Sequence, residues 1–143
     1  MPARSATERP IIFGADSVRA ILSGQKTQTR RMVTPQPDER WGSGIAFAKN
    51  GLGVRTDAYH VHARVAGEDR YIYCPYGVPG DRLWVRETLW RNGGYVADGP
   101  SKVKNDGKVP AIFMVRRNSR ITLEVTAVRV ERLNSISEED AKA

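Results

Sequence analysis

The sequence predicts an α+β protein: a small, partly open β-barrel with one short helix near the N-terminus and the start of a second helix at the C-terminus. Three observations support this prediction: short apolar runs bounded by Gly and Pro, an alternating segment at 59–65, and an amphipathic segment at 16–22. Alternation indicates a half-buried strand, whereas apolar residues three and four apart indicate a helix. We expect a single domain over residues 1–143, with loop insertions at about 34–56 and 91–110.

The composition is that of a basic protein. The 143 residues carry 23 Lys and Arg against 16 Asp and Glu, a formal net charge of +7, and 17 of the cations are Arg. Guanidinium groups pair with phosphate and stack on bases. The charge therefore predicts a polyanionic partner, most simply nucleic acid, although an ordinary basic surface would have the same composition.

Location, metal and cofactor predictions rest on what the sequence lacks. It has no apolar run of membrane-spanning length and no apolar signal core at its N-terminus, so we expect a cytoplasmic protein without a membrane partner. Cys74 is the single cysteine, which suits a reducing compartment, and we interpret it as structural. His60 and His62 would supply at most half of a metal site, so we expect no metal and no cofactor.

The N-terminal third combines a strand, a helix and a cationic strand. We expect a strand at 11–13 and then a helix at 16–22, capped by Asp16 or Ser17 and closed by Gly24 in a left-handed conformation. The octet Gly-Gln-Lys-Thr-Gln-Thr-Arg-Arg at 24–31 follows, and we expect it to open a strand that ends near residue 33. A cation beside a hydroxyl can hold a phosphate or activate a nucleophile.

The rest of the chain predicts further strands. We expect a hairpin of 59–65 with 71–73, a strong strand at 81–90, a flexible excursion at 91–110, a short strand at 111–115, and the longest strand at 120–133, bent near Ala127. The segment 137–140 is a capping box that opens a second helix, which has barely begun at Ala143, so we expect it to be truncated.

The strand at 82–90 carries two patterns. Glu87 interrupts an inward-facing apolar series, so it needs a partner, which we expect to be Lys26, Arg30 or Arg31, unless it is solvated at a strand end. The other face alternates Arg and Trp, a pattern that gives cation–π contacts and can stack bases, although Trp84 can equally pack under the second helix. Arg116, Arg117 and Arg120 are either phosphate contacts or a solvated turn.

The octet resembles the signature of the ASCH domain family, Gly-x-Lys-x-x-Glu-x-Arg. The signature maps onto Gly24, Lys26, Thr29 and Arg31, with Thr29 where most of the family has Glu. A threonine here resembles the branch that deacetylates N4-acetylcytidine. Blocks at 9–13, 74–88 and 119–141 are also similar to phage and prophage members, and these matches cover about half of the chain.

The resemblance implies a fold, a ligand and a set of site residues. The fold is a PUA-like β-barrel, and the ligand is RNA or a modified nucleoside or nucleotide held in a basic cleft at the barrel mouth. The implied binding residues are Gly24, Lys26, Arg31, Arg82, Trp84, Arg86 and Arg120. In the deacetylating branch a Lys, a Thr and a later Glu are catalytic, which implies Lys26 and Thr29. The later Glu would fall one residue beyond Ala143, so Glu87, Glu138 or Glu139 would have to take its place.

The leading functional prediction is therefore binding of RNA or a nucleotide. The alternatives are a small hydrolase acting on an acylated nucleoside such as N4-acetylcytidine, and a single-strand ribonuclease. A further alternative is a phage accessory module that docks another protein through the excursion at 91–110.

Overall fold

The computed structural model of the chain describes residues 5–36, 45–49, 55–65 and 68–138. The described chain is α+β, as predicted, with one α-helix and three small sheets. The elements in chain order are β1 (Glu8–Ile12), α1 (Ala15–Leu22), β2 (Ile45–Lys49), β3 (Arg55–Val65), β4 (Glu68–Tyr73), β5 (Arg82–Arg86), β6 (Leu89–Trp90), β7 (Lys108–Val109) and β8 (Thr122–Glu124). Short 3-10 helices span Val96–Asp98, Ala111–Phe113, Arg116–Asn118 and Leu133–Ser135.

The chain divides into two compact units. The first unit takes the described residues of 5–29 and 82–124 and contains β1, α1, β5, β6, β7 and β8. The second unit takes the described residues of 30–81 and 125–138 and contains β2, β3 and β4.

The first unit is built on a three-stranded mixed sheet in the order β1-β5-β8. β5 is central; β1 runs parallel to it and β8 antiparallel. One face of this sheet presents apolar side chains to the core, namely Ile11, Leu83 and Val85, each at most 7% exposed. β6 and β7 form a separate two-stranded ladder that pairs Trp90 with Lys108.

The helix predicted at 16–22 is confirmed as α1, and its core residue Val18 is fully buried. The predicted N-terminal caps, Asp16 and Ser17, are wrong. Gly14 occupies the N-cap position without a side-chain hydrogen bond, and Asp16 lies in the first turn, where it pairs with Arg19. Gly24 has φ +74°, so the left-handed residue past the helix end is confirmed.

The second unit contains the predicted hairpin. β3 and β4 pair antiparallel from His60–Tyr73 to Val65–Glu68, and β2, which lies within the stretch predicted as the first insertion, adds to the other edge of β3. The chain then turns at Val78–Asp81, where the backbone N–H of Val78 donates to the buried Asp81 carboxylate at 3.2 Å.

Two predicted strands are wrong, and a third is much shorter than predicted. The octet and the residues up to 33 form no strand; instead the backbone N–H groups of Gln25 and Lys26 both donate to the Ala20 carbonyl and close the helix. The segment 111–115 forms no strand and begins with the 3-10 helix Ala111–Phe113, whose turn places Ala111 and Met114, three residues apart, in buried positions. The strand predicted at 120–133 is limited to Thr122–Glu124, since β5 pairs with it only over residues 82–84.

Two further predictions concern the closure of the barrel and the helix at the C-terminus. No sheet closes on itself within the described residues. Of the predicted C-terminal helix, Glu138 is described as helical, and the remainder lies outside the described residues. No helix in the described ranges has both the length and the apolar character of a membrane span.

Candidate functional site

Glu87 is the buried acid of the first unit. It follows the central strand β5 and is 1% exposed, as its place in the apolar series predicts. Its backbone N–H donates to the Met114 sulfur at 3.2 Å. Its two carboxylate oxygens accept hydrogen bonds from Arg120, Oε1 from Nε and Oε2 from Nη2, both at 3.0 Å. The partners expected for Glu87, which were Lys26, Arg30 or Arg31, are therefore wrong.

Arg120 binds a second carboxylate with the other side of its guanidinium group. Nη1 and Nη2 donate to the two oxygens of Asp98, each at 2.8 Å. The guanidinium carbon lies 3.8 Å from the centre of the Tyr95 ring, and the Tyr95 hydroxyl donates to the Asn118 carbonyl at 3.0 Å. We call Glu87, Arg120, Asp98 and Tyr95 the arginine cluster.

The electrostatics of the arginine cluster favour its charged form. Hydrogen bonding to Glu87 and then to Asp98 raises the pKa of Arg120 against the opposing effect of burial. The hydrogen bond from Arg120 lowers the pKa of Asp98 below its ordinary value. Two bidentate pairs use nearly all the donors of one guanidinium group. Arg120 therefore holds three distant chain segments together, and in this arrangement it has little left to offer a phosphate.

The helix α1 contacts the segment that carries Asp98 of the arginine cluster. Arg19 donates from Nη1 to the Ala97 carbonyl at 3.1 Å, next to Asp98 in the 3-10 helix Val96–Asp98. Sequence reasoning predicted that Glu87 needs a basic partner, but Arg120 is 33 residues away and Asp98 lies in a stretch predicted as a loop. The alternation of polar and apolar residues carries no signal for either contact.

The predicted Arg and Trp series lies on the face of β5 opposite Leu83 and Val85, and its Trp84 is covered. Trp84 is 8% exposed, and the Arg86 guanidinium carbon lies 4.8 Å from the centre of its ring. Arg116 donates from Nη2 to Glu8 on β1 and to Thr122 on β8, both at 3.3 Å, and so crosses the central strand β5. Trp84 is therefore packed, and in this arrangement it offers no open face for stacking.

Charges alternate across the three strands of this sheet at the first residue of β5. The register places Arg82 between Glu8 on β1 and Glu124 on β8. The hydrogen bond from Arg116, together with the positive charge of Arg82, lowers the pKa of Glu8 below its ordinary value. Opposite charges on facing strands stabilise the sheet, so Arg82 has a structural role there.

The residues of the octet lie at the exit of α1. Lys26 is half-buried and makes no ion pair within the described residues, whereas Gly24 and Thr29 are exposed. No described contact joins the side chains of Lys26 and Glu87. Arg31 belongs to the second unit, where it is exposed and donates from Nη1 to the Arg30 carbonyl at 3.0 Å.

The first unit has an excess of cations. Residues 5–29 and 82–124 carry twelve Lys and Arg against six Asp and Glu. Four of the six acids are held in ion pairs by only three arginines, Arg19, Arg116 and Arg120. Nine cations remain without an ion pair in the described structure: Arg9, Lys26, Arg82, Arg86, Arg91, Lys102, Lys104, Lys108 and Arg117.

Four of these nine cations lie on the stretch 91–110, which we call the basic loop. Arg91, Lys102, Lys104 and Lys108 are all exposed. The loop is tethered rather than loosely packed. Asp98 pairs with Arg120, the Trp90 indole donates to the Gly99 carbonyl at 3.0 Å, and the Ser101 hydroxyl donates to Asp106 at 2.6 Å. The basic loop therefore presents its cations from a defined backbone.

Residues with metal or thiol chemistry add little to the site. No group of three or more His, Cys, Asp or Glu within the described residues is placed to hold a metal ion. His60 and His62 lie on β3, and their side chains are outside what the structure describes. Cys74 is a half-buried free thiol.

Comparison of the chain with protein-family models, with curated proteins and with solved structures found no match. The resemblance to the ASCH family therefore rests on the residues of the octet and the three further blocks, and it stays a prediction.

Proposed function

We propose that the chain binds RNA or a nucleotide through the cations of the first unit. The observation that carries this proposal is the charge balance of that unit, in which most acids are held in internal ion pairs and nine cations have no ion pair within the described residues. A surface of this kind attracts phosphate, because each neutralised phosphate releases condensed counterions. The 17 Arg among 23 cations favour nucleic acid over a diffuse basic surface, since guanidinium groups also stack on bases.

We place the proposed RNA-binding cleft at Lys26. It follows α1 directly, is half-buried, and makes no ion pair in the described residues, so its ammonium group is available to a ligand. The resemblance adds Gly24 and Thr29, which belong to the same unit, to this cleft. The geometry changes the remaining assignments, since Arg120, Trp84 and Glu87 have structural partners and Arg82 lies between two acids.

The test is the binding of a fluorescein-labelled single-stranded RNA, followed by fluorescence anisotropy in a low-salt buffer. Lys26→Glu removes a phosphate contact and adds a repulsive charge, so we expect affinity to fall about tenfold or more. The matched control is Lys104→Glu, which makes the same charge change on the basic loop. Equal losses in the two variants would indicate a diffuse field rather than a cleft at Lys26. Unchanged affinity in both would refute the proposal.

A hydrolase acting on an acylated nucleoside is the second candidate. The observation that favours it is that the half-buried Lys26 lies three positions before Thr29 in the sequence, because a threonine nucleophile needs an adjacent base. Incubation with N4-acetylcytidine and with single-stranded RNA, followed by mass spectrometry, tests it. Deacetylation or cleavage that disappears in Lys26→Ala would establish an enzyme, and intact substrates would leave binding as the function.

The proposed function also implies a finer fold and a location. We propose that the sheets are parts of a partly open, PUA-like barrel and that the protein acts in the cytoplasm. The mixed sheet β1-β5-β8 and the free thiol of Cys74 are compatible with these two statements. A crystal structure of the chain with bound RNA would test the first, and fractionation of cells that produce it would test the second.

A further inference from the structure

Phe113 is an aromatic side chain left open to solvent. It is 70% exposed, and its neighbours Ile112 and Val115 are 59% and 45% exposed. These three side chains lie within four residues of one another. Contiguous exposed apolar groups on a small protein indicate a contact surface.

The backbone under Phe113 is fixed. The 3-10 helix Ala111–Phe113 is closed by a hydrogen bond from the Phe113 N–H to the Pro110 carbonyl at 3.0 Å. Ala111 and Met114 are buried on either side, and the Met114 sulfur accepts the Glu87 backbone N–H. The core thus anchors this turn, which presents Phe113 outward.

The other aromatic rings of the first unit are occupied. Trp84 has the Arg86 guanidinium group over its face at 4.8 Å, Trp90 has the Lys108 ammonium group at 5.2 Å, and Tyr95 has the Arg120 guanidinium group at 3.8 Å. Phe13 is 5% exposed in the core. Among the described side chains of this unit, Phe113 alone is an aromatic ring with neither burial nor a cation over it.

The charges around Phe113 indicate what would cover it. From residue 107 to 123 the sequence has four cations, Lys108, Arg116, Arg117 and Arg120, and no acid. Arg117 is exposed and has no ion pair in the described structure. Four residues span at most about 14 Å of chain, so Arg117 lies within the distance of one or two nucleotides from Phe113. Arg116 and Arg120 are held by acids, so the cations of this stretch without a described ion pair are Lys108 and Arg117. A flat ring beside these two cations suits an unpaired base with its phosphates.

We infer that Phe113 is a stacking platform for an unpaired base of a single-stranded nucleic acid, with Arg117 contacting an adjacent phosphate. This inference rests on the proposed function and adds a residue outside the octet to its binding surface. Stacking on an aromatic ring tolerates any base, so Phe113 contributes affinity for single strands rather than sequence specificity. A duplex, whose bases are already stacked, gains nothing from it.

The test compares Phe113→Ala, Phe113→Leu and Phe113→Tyr with the unchanged chain, using a labelled single-stranded RNA and its duplex. We expect the Ala and Leu variants to bind the single strand roughly 5- to 100-fold more weakly and the Tyr variant to bind within about twofold of the unchanged chain. Leu keeps apolar bulk without a π-face, so it separates stacking from hydrophobic contact. The matched control is Leu133→Ala, an exposed apolar residue of the second unit, which we expect to bind normally.

Salt dependence separates the two roles. Phe113→Ala keeps the slope of log affinity against log salt, because no phosphate contact is lost, whereas Arg117→Ala lowers that slope by about 0.7. Phe113 is exposed, so thermal melts of the variants should match that of the unchanged chain and exclude misfolding.

The outcomes distinguish this inference from the proposed function. Salt-dependent RNA binding that survives Phe113→Ala and Phe113→Leu would overturn the stacking platform and leave the proposed function standing. Equal losses for the single strand and the duplex would also overturn it. If the unchanged chain binds no RNA, both proposals fail. Phe113-dependent binding to anionic lipid vesicles without RNA binding would assign the surface to a membrane and overturn the platform.

Discussion

The arginine cluster and the Lys26–Thr29 segment, both in the first unit, differ in how their charged groups are paired. In the arginine cluster, Glu87 is buried and both of its oxygens are bound by Arg120, which also holds Asp98. In the Lys26–Thr29 segment, the chain is irregular, Thr29 is exposed, and Lys26 has no ion pair within the described residues. The carboxylates of the first arrangement are fully paired, whereas Lys26 in the second has no ion pair within the described residues.

This difference separates residues that stabilise the fold from residues that can bind a ligand. A buried charge that is fully paired stabilises structure, and removing its partner is costly because the remaining charge stays buried. A cation without an internal partner keeps its interaction for a ligand. Glu87, which the sequence suggested as a catalytic or pocket residue, therefore belongs to the scaffold. Lys26 remains the candidate for binding.

The largest expected effect comes from breaking the arginine cluster. Arg120→Ala leaves the buried Glu87 carboxylate without its partner, so we expect a loss of about 3 to 5 kcal/mol in the free energy of unfolding. Chemical denaturation with urea measures it. The control is Arg120→Lys, which keeps one charge but loses the two-sided fork and should lie between Arg120→Ala and the unchanged chain. A loss below about 1 kcal/mol for Arg120→Ala would mean that the cluster is only a surface ion pair.

The cluster also shows how far the sequence predicts this structure. Local patterns succeed: the helix with buried Val18, the left-handed Gly24 and the β3–β4 hairpin follow from spacing and turn chemistry. The burial of Glu87 follows from its place in an apolar series, but its partner does not. Arg120 reaches it through the tertiary fold, and Asp98 comes from a loop with no periodic pattern.

The strand predictions fail where a partner strand ends. Apolar residues at 125, 128 and 130 continue the pattern of β8, but its partner β5 starts only at Arg82. Before Arg82, the Val78–Asp81 turn offers a single pair of hydrogen bonds, between Val125 and the backbone of Gly80 and Asp81. The segment 111–115 fails for a different reason, since a five-residue apolar run fits a strand or a 3-10 turn equally well.

The second prediction uses acid to weaken the cluster. The pKa of Asp98 is lowered from its ordinary value of 3.8 by its hydrogen bonds from Arg120, so its contribution to stability is present above pH 3.8 and is lost as the pH falls through its lowered pKa. We expect Asp98→Asn to melt below the unchanged chain near neutral pH and the two melting curves to converge in strong acid.

The control for this prediction is Glu8→Gln. The pKa of Glu8 is lowered from its ordinary value of 4.5 by Arg116, so the difference between this variant and the unchanged chain should also close as the pH falls below that value. Differences that stay constant from neutral to strongly acidic pH would contradict the assignment of these carboxylates as ionised partners.

The smallest expected effect on stability comes from replacing Lys26. Lys26→Ala should change the free energy of unfolding by no more than about 0.5 kcal/mol, because no described ion pair is lost. The same variant should bind RNA more weakly, which separates a ligand-binding role from a structural one. A large loss of stability in Lys26→Ala would show that Lys26 resembles Arg120, and the contrast between the two regions would disappear.

The salt dependence of RNA binding by the unchanged chain tests whether the cations of the first unit bind phosphate. If the unpaired cations of the first unit contact three to five phosphates, affinity for a single strand should fall roughly 20- to 100-fold between about 50 and 200 mM salt, linearly on a log–log plot. Fluorescence anisotropy across a salt series measures it. Affinity that does not change with salt, or no binding at the lowest salt, would contradict the claim that these cations form a nucleic-acid surface.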